Sequence, residues 1–177
     1  MMMTTDHLEQ TFTLLKPLET ISTVTVKPLS RESSLEIEPK GETFQQAEKE
    51  ALVMASTGLN QEELDALSNP DWLTLYEASY HFYNQTGYQL VDSEQPETDT
   101  TVTLFFSGER QVEFELPTLK LTKMADKIND DIKRACFILA NLTGLEEDEI
   151  MRLPLPDYRS LVVAATHFLT KPAVYFQ

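Results

Sequence analysis

An internal repeat constrains the fold of this sequence more than any other feature. Residues 56–84 align without a gap with residues 142–170, at a constant offset of 86 positions. Of the 29 aligned positions, 11 are identical. The identical pairs are Thr57/Thr143, Gly58/Gly144, Leu59/Leu145, Glu63/Glu149, Leu67/Leu153, Pro70/Pro156, Asp71/Asp157, Leu75/Leu161, Ala78/Ala164, His81/His167 and Phe82/Phe168. Such self-similarity predicts that one structural unit is built twice.

Each copy extends upstream into a predicted β-hairpin, because apolar and polar residues alternate there. The paired segments are residues 11–15 with 21–27 and residues 101–106 with 111–116. Between the copies, residues 92–99 hold four acidic residues, one proline and no large apolar residue, which is typical of a solvated linker. We therefore predict repeat unit one at 8–90, an acidic linker at 91–99 and repeat unit two at 100–177.

Three helices are predicted after each hairpin. The first lies near 43–57 in unit one and near 122–143 in unit two. Gly58 and Gly144 suit the position just past its end, since glycine adopts a left-handed backbone without strain. The fold class predicted from these patterns is α+β, a duplicated unit of a β-hairpin followed by three helices. A fusion of two ancestral protomers would pack as a pseudo-dimer, and further self-association is left open.

The last helix of each unit shows the clearest helical periodicity in the chain. It is predicted to begin at Pro70 in unit one, with Asn69 as its N-cap, and at Pro156 in unit two. Apolar or small residues then recur with the spacing of one helical face. This spacing predicts that Phe82 and Phe168, which are equivalent in the repeat, are buried.

The composition restricts the partners and the compartment. Lys and Arg number 14 against 29 Asp and Glu, so the net charge is −15, which argues against binding to nucleic acid or to an anionic membrane. A single cysteine, Cys136, excludes an internal disulfide. Neither a run of 18 apolar residues nor a leader within residues 1–10 is visible, so we expect a soluble, cytoplasmic protein.

No complete catalytic or metal-binding set can be assembled from this sequence. His81 and His167 are equivalent, but Glu77, which precedes His81 by one helical turn, has Val163 as its counterpart. There are only three histidines, and the sequence contains neither a zinc-protease motif nor a phosphate-binding loop. We therefore predict no catalytic, cofactor-binding or metal-binding residues, and no cofactor.

The motif residues of both copies resemble a known family. Unit one has a strand at 24–29 (VTVKPL), and both copies share a Thr-Gly-Leu turn, a later aspartate and a final helix containing a His-Phe pair. Together these features resemble the tail assembly chaperone family of Mu-like and P2-like contractile-tailed phages, here in two tandem copies. The strand motif matches less well in unit two, where residues 112–117 read VEFELP.

This resemblance implies a non-enzymatic chaperone encoded by a phage or prophage. Such a protein binds the tape measure protein, or another tail protein, and keeps it soluble in the host cytoplasm while the tail assembles. The alternative that the charge suggests is an acidic mimic that occupies a basic nucleic-acid-binding surface. A mimic needs acids in a regular row, whereas here they are scattered over the linker, helix starts and turns, which favours the chaperone.

Unit one carries more aromatic residues near the end of its last helix than unit two does. Since both copies fill the same kind of core, the surplus suggests an additional task. Tyrosine suits an interface, because it combines a large apolar area with a polar tip. We predict that Tyr80, Tyr83 and Tyr88 border a groove that receives an amphipathic helix of the tape measure protein. The alternative is that they cover local core or a contact between the units.

Overall fold

The computed structural model describes residues 8–177, so the segment inspected for a leader lies largely outside the described residues. Within residues 8–177 the chain is α+β, with four short strands in two two-stranded sheets and nine α-helices. Contacts between residues divide the chain into two compact units. From here on, unit one means the residues up to Gln85, and unit two means the residues from Thr86. Each unit holds one antiparallel hairpin, and its longest helix follows that hairpin.

Unit one contains a hairpin and four helices, one more than the three predicted, because a short helix at Arg31–Glu36 precedes the helix predicted near 43–57. Its elements are β1 (Gln10–Thr13), β2 (Thr23–Val26), α1 (Arg31–Glu36), α2 (Gln46–Thr57), α3 (Gln61–Asp65) and α4 (Asn69–Asn84). Phe12 pairs with Val24 in the hairpin, and Val24 and Val26 point into the core. The core also holds Leu52 of α2 and Phe82 of α4. The predicted burial of Phe82 is therefore confirmed.

Unit two begins with a helix that precedes its hairpin. Its elements are α5 (Gly87–Leu90), β3 (Thr101–Leu104), β4 (Arg110–Glu113), α6 (Leu119–Ala125), α7 (Asp131–Thr143), α8 (Glu147–Arg152), α9 (Leu155–Thr170) and a 3-10 turn (Ala173–Phe176). The long helix predicted near 122–143 is thus two helices, with residues 126–130 between them. Asp130 is the N-cap of the second helix, because its side chain accepts the Lys133 N–H at 2.9 Å.

Phe168 differs from the prediction that it is buried. It is only half-buried, at the edge of the unit-two core, with its ring 6.1 Å from that of Phe114. Its other face stacks on Phe176 of the 3-10 turn, with the ring centroids 5.2 Å apart. Phe168 is therefore covered in part by the C-terminal segment and not by the core alone.

The Thr-Gly-Leu turns end α2 and α7 in the same way. Gly58 and Gly144 have φ angles of 79° and 74°, as predicted for their positions, and each N–H donates to the carbonyl four residues earlier. Thr57 donates its hydroxyl to the Val53 carbonyl and accepts the Leu59 N–H at 3.2 Å. Thr143 makes the corresponding two bonds in unit two.

The start of α4 lies one residue earlier than the sequence indicated. Asn69 is the first helical residue, and Ser68 is the N-cap, because its hydroxyl oxygen accepts the Asp71 N–H at 3.3 Å. Pro70 therefore occupies the second position of the helix. Serine caps helices as well as asparagine does, so residue preference alone does not distinguish Ser68 from Asn69.

Candidate functional site

In unit one, an aspartate at the start of the last helix anchors the end of the hairpin. Asp71 accepts the N–H groups of Leu15 and Lys16, at 2.8 Å to Oδ1 and 3.1 Å to Oδ2. The Ser68 hydroxyl donates to Oδ2 at 2.7 Å. The bond from the Leu15 N–H, followed by that from Ser68, holds the pKa of Asp71 below its usual range. These donors favour the ionised carboxylate.

In unit two, the equivalent aspartate makes an equivalent anchor with a different hydroxyl. Asp157 accepts the Phe106 N–H at 3.2 Å and the Ser107 hydroxyl at 2.6 Å. Pro154 stands where unit one has Ser68, so the hydroxyl comes from the hairpin turn and not from the helix cap. Burial raises the pKa of Asp157 to about 6, although the bonds from Ser107 and Phe106 act in the opposite direction.

A stretch of chain that we call the covering segment, residues 86–95, lies over Asp157. The Gly87 N–H donates to Ser160 Oγ at 3.1 Å, and the Gln95 side-chain amide donates to the Ser160 carbonyl at 2.9 Å. A Cβ atom on Gly87 would lie 3.2 Å from Asp157 Oδ1, so only glycine permits this close approach without displacement of the carboxylate. The covering segment thus removes Asp157 from water.

Two of the predicted partner-binding residues, Tyr80 and Tyr83, meet in unit one. Both rings contact Phe44 edge to face, with centroid distances of 6.2 Å and 5.1 Å. Tyr76 lies 6.0 Å from Tyr80, and the Lys49 ammonium lies 5.1 Å from the centre of the Tyr76 ring. These five residues line a groove of about 360 Å³, which we call the aromatic groove.

The third predicted residue, Tyr88, lies elsewhere. It is buried in unit two, where its ring meets Phe105 edge to face at 5.0 Å. Its phenol oxygen accepts the Thr103 N–H at 2.7 Å, from the edge of strand β3. The structure therefore brings Tyr80 and Tyr83 together and places Tyr88 within the covering segment.

Sequence reasoning missed Phe44 and Lys49 as members of the aromatic groove. Phe44 lies in the loop just before α2, outside any periodic pattern, and Lys49 is one of several charged residues on that helix. Phe44 is buried, and it is an aromatic residue in a polar stretch of sequence. This isolated aromatic residue is the one sequence signal that could have indicated a role for Phe44.

The histidines and the cysteine occupy different settings. His81 is exposed, whereas His167 is half-buried with its ring 6.1 Å from that of Tyr175. Cys136 is buried on α7. Among residues 8–177, no group of three or more His, Cys, Asp or Glu side chains is arranged to hold a metal ion. No helix in the same range is long and apolar enough to span a membrane.

One comparison with known proteins gives a match. Residues 101–170 match a family model described as phage tail assembly chaperone proteins, E, or 41 or 14. The matched region begins at the first residue of β3 and ends at the last residue of α9, so it contains the hairpin and the helices that follow it in unit two. No curated protein and no solved structure matches the chain. The family match supports the resemblance carried by the motifs and suggests a role in tail assembly.

Proposed function

We propose that this chain is a non-enzymatic phage tail assembly chaperone that binds the tape measure protein of its phage and keeps it soluble in the host cytoplasm. The observation that carries the proposal is the family match across residues 101–170. It spans a complete hairpin and the helices after it, so it covers a structural unit and not an isolated motif.

We extend the proposal to unit one as a second copy of the same unit. Three sets of bonds support this extension. Asp71 and Asp157 anchor their hairpins in the same way, and the Thr-Gly-Leu turns end α2 and α7 in the same way. In addition, a residue one or two positions after the hairpin donates its N–H to the end of a longer helix, α2 in unit one and α7 in unit two. These bonds are Lys27 N–H to Ser56 O at 2.9 Å and Glu115 N–H to Leu142 O at 2.8 Å.

The aromatic groove is the surface that we assign to the tape measure protein. It combines apolar ring faces with tyrosine hydroxyls, the Lys49 ammonium and the Glu42 carboxylate, which suits an amphipathic helix with an apolar stripe and polar or charged residues beside it. Unit two has no such groove at the equivalent positions, because Val162, Thr166 and Leu169 replace Tyr76, Tyr80 and Tyr83. The two copies would then share a fold but divide the work.

Co-expression with the tape measure protein of the same phage tests this assignment. Tyr80→Ala removes a ring that is partly exposed and should weaken binding about tenfold or more, as expected for an interface aromatic. Tyr80→Phe keeps the ring and should bind nearly as well as the unmodified chain. Leu119→Ala, at an exposed apolar residue of α6, is the matched control and should leave binding unchanged.

Two results would contradict the proposal at different levels. If folded Tyr80→Ala and Tyr83→Ala variants bind with full affinity, the aromatic groove is not the site, although the chaperone role stands. If the unmodified chain binds neither the tape measure protein nor another tail protein, the chaperone role itself is wrong.

A further inference from the structure

The starts of the two last helices differ in how far they are covered. In α9, Pro156 and Ser160 are buried. At the equivalent positions of α4, Pro70 and Thr74 are exposed. Since the aspartate between them anchors a hairpin in both units, the difference lies in what packs on the outside of the anchor and not in the anchor itself.

The uncovered surface of unit one is apolar. Leu73 is 55% exposed and Leu15, two residues after β1, is 76% exposed. Together with Pro70 and Thr74 these residues form what we call the open patch. In unit two, Phe105 directly follows β3 and precedes the Phe106 N–H that binds Asp157, and its ring is contacted by Tyr88 of the covering segment. A cluster of exposed apolar side chains of this kind marks an interaction site.

In unit two, the corresponding surface is covered by the chain that comes directly after α4 in the sequence. Gly87 donates to Ser160, and Tyr88 accepts from the free edge of β3. A segment that follows one last helix is therefore shown to fit the start of another last helix. The contacts in unit two therefore indicate which surface of a last helix is covered and what kind of segment covers it.

The chain has a second segment of this kind, at its C-terminal end. Residues 171–177 follow α9 as the covering segment follows α4, and the 3-10 turn Ala173–Phe176 lies 86 positions after α5. Phe176 stacks on Phe168, and the Tyr175 hydroxyl donates to Glu97 at 2.5 Å. Val174 nevertheless remains 73% exposed, so this segment presents an apolar side chain that nothing in residues 8–177 covers.

We infer that residues 171–177 of one copy of this chain dock on the open patch of a second copy, so that the chain self-associates head to tail. The open patch is an apolar surface without a cover, and residues 171–177 are a similar segment whose Val174 side chain is exposed. The inference rests on the correspondence between the two units and is independent of tape measure binding.

The contact in the second copy differs in detail from the contact inside unit two. Ala173 stands where Gly87 stands, and its methyl group does not permit the same close approach to the aspartate. Val174 replaces Tyr88 and supplies an apolar side chain for Leu15 and Leu73, while the phenol moves to the next residue, Tyr175. The docking would therefore be driven by apolar burial and would be weaker than the internal contact.

Sedimentation equilibrium over a wide range of protein concentration tests this inference. The unmodified chain should associate reversibly, and Leu73→Glu should weaken association at least about tenfold, because it places a charge in the open patch. Truncation after Lys171 should have the same effect. Leu116→Glu, at another exposed leucine outside the open patch, and Tyr80→Ala, in the aromatic groove, are the controls and should associate normally.

A mixing experiment distinguishes head-to-tail docking from a symmetric contact. The Leu73→Glu variant keeps its C-terminal segment, and the truncated chain keeps its open patch. Mixed at concentrations where neither associates alone, they should form one-to-one complexes and nothing larger. The inference is overturned if the unmodified chain stays monomeric at its highest concentration, if truncation leaves association intact, or if the two defective chains do not combine. Circular dichroism confirms that each variant is folded.

Discussion

Asp71 and Asp157 hold the same position in the two units and anchor the same hairpin end, yet their acidities move in opposite directions. The pKa of Asp71 lies below its usual range, because backbone and hydroxyl donors favour the charge. Burial raises the pKa of Asp157 to about 6. Asp157 has no exposed area and lies against Gly87, whereas Asp71 is 6% exposed. Two identical residues in equivalent bonds thus differ through what lies outside them, which here is the covering segment.

The chain carries one natural reporter in each unit, and these make the comparison measurable. Trp72, the single tryptophan, stacks on Tyr76 in unit one, so its fluorescence follows the unfolding of that unit. Cys136, the single cysteine, is buried in unit two, so its reaction with a thiol reagent follows the unfolding of that unit.

The largest difference that we expect between equivalent positions concerns the two phenylalanines of the last helices. Phe82→Ala should cost about 3–5 kcal/mol in the free energy of unfolding of unit one, because it removes a buried aromatic ring from the core. Phe168→Ala should cost clearly less in unit two, since Phe168 is half-buried. Denaturant titrations read through Trp72 and Cys136 measure the two costs. Equal costs would contradict the unequal burial.

The next largest effect is the pH dependence of unit two. The folded pKa of Asp157 is about 6, above the ordinary value near 4, so the folded state binds the proton more tightly. The resulting stability is complete below about pH 4 and is lost as the pH rises through 6, by an amount on the order of 3 kcal/mol. Asp157→Asn should remove this slope. Cys136 labelling, corrected at each pH for the reactivity of a free thiol, measures it.

Unit one should respond to pH with the opposite sign. The lowered pKa of Asp71 means that the ionised carboxylate stabilises unit one above the ordinary pKa, and that this contribution is lost as the pH falls below about 4. Asp71→Asn should therefore reduce stability at neutral pH and weaken the acid dependence seen by Trp72 fluorescence. If unit one lost stability as the pH rose from 4 to 7, the lowered pKa of Asp71 would be wrong.

The helix ends should behave alike in both units, which makes them the internal standard. Valine at Gly58 or Gly144 must adopt a positive φ, so each change should cost about 2 kcal/mol. Space is not the reason, because a Cβ at either position would meet nothing within 4 Å. Denaturant titrations of the two variants should give similar costs in their respective units, and an unchanged midpoint in either would contradict the left-handed conformation.

The smallest effect belongs to the cap that only unit one has. Ser68→Ala removes both the N-cap acceptor and a donor to Asp71, and should cost about 1 kcal/mol. In unit two the reverse change, Pro154→Ser, should have little effect, because Ser107 already supplies the hydroxyl to Asp157. Thermal unfolding of the two variants tests the pair.

Features that depend on local chain geometry could be predicted from the sequence. The left-handed glycines after α2 and α7 follow from a requirement of single residues, and the burial of Phe82 follows from periodicity along one helix. The covering segment could not be predicted, because the four residues of α5 carry no periodic signal and their place is decided by bonds to Ser160 and Thr103, far along the chain.

The candidate site was predicted only in part for the same reason. Tyr80 and Tyr83 lie one helical turn apart on α4, so helix geometry alone predicts that their side chains are neighbours. Nearness in sequence alone places Tyr88 with these two residues. However, α4 ends at Asn84, and Tyr88 lies in unit two. Phe44 reaches the groove through tertiary contacts that no sequence spacing indicates.

The order of synthesis delays the formation of both aspartate anchors. Asp71 follows Leu15 by 56 residues, so at about 5–20 residues per second the ribosome needs several seconds after the first hairpin before it makes the residue that fastens it. A two-stranded hairpin is barely stable by itself during that wait. Unit two meets the same delay, with 51 residues between Phe106 and Asp157, but its covering segment is translated before either of them. The nascent chain thus contains the covering segment of unit two before Asp157, the residue that this segment covers, has been synthesised.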